Sequence, residues 1–73
     1  MVTVKVVWRS SGKAVCGSRV SLGFNSGMSE EILTDVSGEV DFEDALPGRH
    51  ASIYVDGTEK FSGVLPDRKV IAI

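Results

Sequence analysis

Valine and tryptophan occupy every second position at the start of the chain: Val2, Val4, Val6 and Trp8, with Thr3, Lys5 and Arg9 between them. A period of two is that of a strand with one buried face. The phase places Trp8 with the valines, in the core or half-buried near the end of the strand. The same alternation returns in "RVSLGF" (Val20, Leu22, Phe24), in "EVDFED" (Val40, Phe42) and in "HASIYV" (Ala51, Ile53, Val55). "TEKFSGVL" and the closing "VIAI" are weaker strands. In "EEILT", Ser29 has the chemistry of a helix cap and Glu30 and Glu31 suit a first helical turn. Too few residues remain before the next turn signal, however, and a short strand with Ile32 and Thr34 in alternation fits better.

Turn chemistry separates these segments. In "DVSG", Asp35 can accept a backbone hydrogen bond two residues on, and Gly38 is favoured at the fourth position of a type I turn. Pro47 and Gly48 occupy the two central positions of a type II turn. Asp56 and Gly57 form the strongest two-residue hairpin signal in the chain. "SSGK" at 10–13 and "PDRK" at 66–69 read as turns, and "NSGMS" at 25–29 as a flexible loop. About seven short strands at this spacing, with no convincing helix, predict one all-β domain over 1–73. The expected architecture is a small Greek-key-type β-sandwich, with a five-stranded SH3-like or OB-like barrel as the alternative.

The order of these motifs resembles the carboxypeptidase regulatory-like domains, part of the transthyretin-like (prealbumin-like) sandwich group. The resemblance rests on Gly12, Lys13, Val15 and Gly17, then Val20 and Leu22. It continues with Thr34, Asp35, Gly38 and Glu39, then Val40 and Phe42, and ends with Leu46, Pro47 and Gly48. With the strand that precedes Gly12 and the strand that follows Gly48, it covers about 60 residues. Ala14 stands where the family commonly has proline, and the first strand lacks a glycine often found there. His50 takes the place of a tyrosine that usually packs at the start of the following strand, which implies a packing or hydrogen-bonding role for it. The resemblance implies a seven-stranded sandwich that serves as an accessory, spacer or adhesion-like module without catalysis. Some such domains bind carbohydrate. The hydroxyisourate hydrolases of the same fold group use several histidines and a tyrosine-arginine-glycine-serine ending, whereas this chain has one histidine and ends in RKVIAI.

Length and charge narrow the function further. A chain of 73 residues buries only about 60% of the surface it exposes when unfolded. A deep cofactor cavity would remove much of its core, so binding is expected at the surface and no cofactor is anticipated. The net charge of −2 speaks against nucleic acid. Seven of the ten acids (Glu30, Glu31, Asp35, Glu39, Asp41, Glu43 and Asp44) fall within residues 30–44, and no Lys or Arg lies between Arg19 and Arg49. Glu39, Asp41 and Glu43, about 6.6 Å apart along a strand, form a solvated acidic face. That face discourages edge-to-edge aggregation; it, or an unpaired edge strand, is the expected docking surface for an unknown protein partner.

Catalysis has no support in the residue types. A nucleophile–base pair needs a histidine oriented by a third group, and His50 stands alone without a G-x-S-x-G elbow. One cysteine and one histidine make no zinc site, and the acids lack the spacing of a calcium loop. Cys16, in the apolar stretch AVC, is expected to be a buried, inert thiol. Without internal disulfides the chain suits a reducing compartment, cytoplasmic if the chain is complete. No stretch is apolar enough to span a membrane, and the oligomeric state is left open. The function expected is a non-enzymatic structural or interaction module. The alternative is weak carbohydrate binding, for which Trp8 and Tyr54 are the aromatic candidates, or weak cation binding.

Overall fold

The computed structural model describes residues 1–73 and contains eight strands and no helix. They are β1 (Val2–Val7), β2 (Arg19–Phe24), β3 (Gly27–Met28), β4 (Ile32–Leu33), β5 (Glu39–Phe42), β6 (His50–Val55), β7 (Thr58–Val64) and β8 (Arg68–Ala72). β5, β1 and β8 form one sheet in that order. β3, β2, β6 and β7 form the second, with β4 also paired to β2. The fold is a small two-sheet β-sandwich. The eighth strand comes from "NSGMS", which is a hairpin rather than a flexible loop. Phe24 pairs with Gly27 and Gly23 with Met28 across a tight Asn25–Ser26 turn.

Each sheet turns its period-two apolar row inward, as strand geometry requires. Val2, Val4 and Val6 of β1 are completely buried, as are Val20 and Ile53 of the opposing sheet. Leu22, Val40, Phe42, Ala51, Val55, Leu65 and Ile71 complete most of the core. β1 runs antiparallel to β5, with Val2 opposite Phe42 and Lys5 opposite Glu39. It runs parallel to β8, from Thr3 opposite Arg68 to Val7 opposite Ala72. The first and last strands of the chain are thus neighbours.

Two of the turns are fixed by side chains or by backbone shape. Gly38 N–H donates to Asp35 O (2.9 Å), while Asp35 Oδ1 accepts from the N–H groups of Ser37 and Glu39. Asp56 and Gly57 both have positive φ, 53° and 83°, the conformation that lets a two-residue loop follow the twist of β6 and β7.

Two side chains, Cys16 and His50, depart from the sequence-based expectation. Trp8 is half-buried just past the end of a strand, 49% exposed, and does not join the valines in the core. β1 ends at Val7, and the backbone folds into a turn in which Trp8 N–H donates to Lys13 O and Gly12 N–H to Trp8 O. The turn takes Trp8 out of the strand's phase. Cys16 is exposed instead of buried, because its neighbour Val15 fills the core position and the chain turns outward at Cys16–Gly17. His50 is exposed at the start of β6, opposite Val64, with no side-chain hydrogen bond. The packing role implied for it by the resemblance is not taken up.

Candidate functional site

Two clusters stand out among the acids of residues 30–44, and Asp41 borders both. Glu39 and Asp41 lie on β5 and face away from the core, and β5 ends at Phe42, so Glu43 lies in the turn beyond it. Glu39 is paired with Arg68 on β8, and Lys5 is its cross-strand neighbour on β1. Asp41 accepts a hydrogen bond from Thr3 Oγ1 at 2.7 Å. The outer face of the three-stranded sheet is therefore internally balanced. The half-exposed Glu39–Arg68 pair contributes up to about 1 kcal/mol, the range for ion pairs open to water.

The second group of acids surrounds a groove. Where β5 ends and β6 begins, the two sheets separate and leave an open cleft of about 600 Å³. Its apolar lining is Leu22 and Phe24 of β2, Ile32 of β4, Phe42 of β5 and Ala45. Around these lie Glu30, Asp41, Glu43, Asp44 and Arg49, with Ser29. Glu30, Glu43 and Asp44 are exposed and have no ion-pair partner. Arg49 forms no ion pair with them. Its guanidinium sits 4.8 Å from the centre of the Phe24 ring, a cation–π distance.

Local chemistry holds this end open. Ser29, read from sequence as a possible helix cap, accepts the Leu22 N–H at its Oγ (2.8 Å) and donates to Glu30 O (3.1 Å). It pins the chain against β2 as it enters the acidic segment. On the other side, the Leu46–Arg49 turn with Pro47 and Gly48 brings Arg49 back to the groove. Its flanks are tied down by Gly48 N–H donating to Leu65 O and Leu65 N–H donating to Arg49 O, each 2.8 Å.

The remaining residues singled out from sequence lie apart from this groove. Tyr54 is half-buried on the outer face of the five-stranded sheet, near Glu59 (3.4 Å between Oη and Oε2) and beside Gly23. Trp8 belongs to the turn after β1. No three His, Cys, Asp or Glu side chains come together in a metal-binding arrangement, and no helix is long and apolar enough to cross a membrane. The groove itself was not legible from sequence. Its walls come from four separated segments, and only the clustering of acids hinted at it. Comparison with family models, with curated proteins and with solved structures finds no match to this chain.

Proposed function

We propose that this protein is a non-catalytic interaction module that docks a basic, partly apolar segment of a protein partner in the groove between β2 and β5. One observation carries the reading: an apolar cleft lined by Phe24, Ile32 and Phe42 is bordered by carboxylates at Glu30, Glu43 and Asp44 that have no partner of their own. Apolar contact supplies affinity, while complementary charge selects the partner and speeds encounter. A carboxypeptidase regulatory-like kinship remains part of the proposal. It rests on the order of its motif residues along the chain, from Gly12 and Lys13 through Thr34, Asp35, Gly38 and Glu39 to Leu46, Pro47 and Gly48.

Fluorescence anisotropy with two labelled peptides tests the groove. An alternating Arg–Leu peptide is expected to bind, and its Glu–Leu counterpart is not. The double variant Glu43→Lys/Asp44→Lys, changed only at exposed positions, should abolish the preference. Equal binding of both peptides, or undiminished binding by the double variant, would refute the assignment.

A further inference from the structure

The exposed turn after β1 has the chemistry that the groove lacks. Trp8 is the only tryptophan of the chain and is half exposed, with Arg9 and Lys13 exposed beside it. The turn is well braced. Trp8 N–H donates to Lys13 O (2.8 Å), Gly12 N–H to Trp8 O (2.7 Å), and Arg9 N–H to Ile73 O (2.8 Å). Neither Arg9 nor Lys13 is ion-paired. The acids nearest this end are already engaged: Asp35 accepts from the N–H groups of its own turn, and Asp56 from Arg19 N–H, with the Arg19 side chain 3.8 Å away.

This knob and the groove lie at opposite ends of the molecule. Phe42 of the groove is opposite Val2 at the start of β1, whereas Trp8 follows Val7 at its end. Six residues of strand separate them by about 20 Å, in a molecule 34 Å long. No copy can therefore fill its own groove. The charges are segregated in the same sense. Residues 1–29 carry Lys5, Arg9, Lys13 and Arg19 with no Asp or Glu, while residues 30–44 carry seven acids and no base.

We infer that the groove of one copy receives the Trp8–Arg9–Lys13 turn of a second copy, so that the protein associates head to tail. This rests on the groove being a docking site and names its occupant. The indole would lie on the partly exposed Phe24 and Ile32, displacing Arg49 from the Phe24 ring, while Arg9 and Lys13 meet Glu30, Glu43 and Asp44. Such a contact is heterologous. A head-to-tail pair leaves one knob and one groove free, so association continues into a ring or an open chain. The contact is small and held partly by surface charge, so it is weak, with Kd on the order of 0.1–1 mM, and it weakens as salt shortens the screening length.

Sedimentation velocity and Trp8 emission at low salt test the inference. Raising the wild-type concentration should increase the mean sedimentation coefficient and shift Trp8 emission to shorter wavelength, and molar salt should reverse both. Trp8→Ala and Glu43→Lys/Asp44→Lys, each with an unchanged thermal melt, should remain monomeric alone. Mixed in equal amounts they should form a dimer and nothing larger, because each supplies the surface the other lacks. A wild type that stays monomeric at millimolar concentration, a single-surface variant that assembles like wild type, or a mixture that forms no dimer would overturn head-to-tail association. A synthetic peptide of residues 6–13, VVWRSSGK, separates the two levels of the argument. If it binds the groove while the chain stays monomeric, self-association fails and the docking site stands. If neither it nor the Arg–Leu peptide binds, both fail.

Discussion

Gly38→Ala is expected to destabilise the protein by about 3 kcal/mol, combining left-handed backbone strain with a steric collision. Gly38 has φ +75°, where a Cβ is unfavourable, and an added Cβ would sit 2.6 Å from Val6 O, with Ala14 Cβ at 3.1 Å and Val15 N at 3.2 Å. Val6 O cannot move aside. It accepts the Val15 N–H at 2.9 Å, and Val6 N–H donates to Gly38 O at 2.8 Å. The turn between β4 and β5 is thus pressed against the middle strand of the smaller sheet. Gly12→Ala is the matched control, because Gly12 has nearly the same φ, +73°, but nothing within 4 Å of the added methyl. It should cost about 1 kcal/mol, the strain alone. Urea unfolding of both variants separates the two contributions. Equal losses would show that the contact with Val6 O does not constrain the turn.

Thr34→Val should cost about 2–4 kcal/mol although it preserves side-chain shape. Thr34 is 4% exposed. Its Oγ1 donates to Val15 O at 2.6 Å and accepts from Ser18 N–H at 2.9 Å. Main-chain bonds complete the junction, with Thr34 N–H to Ser18 O at 2.9 Å and Gly17 N–H to Thr34 O at 3.0 Å. One hydroxyl thereby satisfies a buried donor and a buried acceptor in the connection that leads into β2. Valine leaves both without a partner, each at about 1–3 kcal/mol. Thr3→Val removes a single bond, to Asp41, whose carboxylate is exposed and can turn to water. That loss should stay near 1 kcal/mol or below. A thermal melt that ranks Thr3→Val as the more damaging would contradict this account.

Where local chemistry decides the outcome, the sequence was a sufficient guide. Alternation marked β1, β2, β5 and β6, because a period of two is all a half-buried strand requires. The two-sheet all-β architecture followed from strands punctuated by turns. Trp8 could be read only as core or half-buried at a strand end, because the alternation continues one residue past the point where the backbone turns; the structure has it half-buried. Cys16 misled because an apolar neighbourhood in sequence became a single buried position, taken by Val15. The parallel pairing of β1 with β8 has no local signature. It depends on how the chain crosses between sheets. The acids of β5 read as a free face because their partners, Thr3 and Arg68, lie at remote positions in the chain. The groove was hidden for the same reason, as its walls meet only after Phe24, Ile32, Phe42 and Arg49 have been gathered to one end.

The pairing of the first and last strands bears on how the molecule would carry mechanical load. β1 and β8 point the same way and are joined from Thr3–Arg68 to Val7–Ala72. A pull applied to the two ends of this chain drags β1 backward and β8 forward along their common axis. The rungs between them are then sheared together, and none can open ahead of the rest. The β6–β7 hairpin, pulled at its open end, would instead unzip one rung at a time from His50–Val64 toward Asp56–Gly57. Rupture at the end-to-end pull should therefore need a clearly larger force than opening the hairpin.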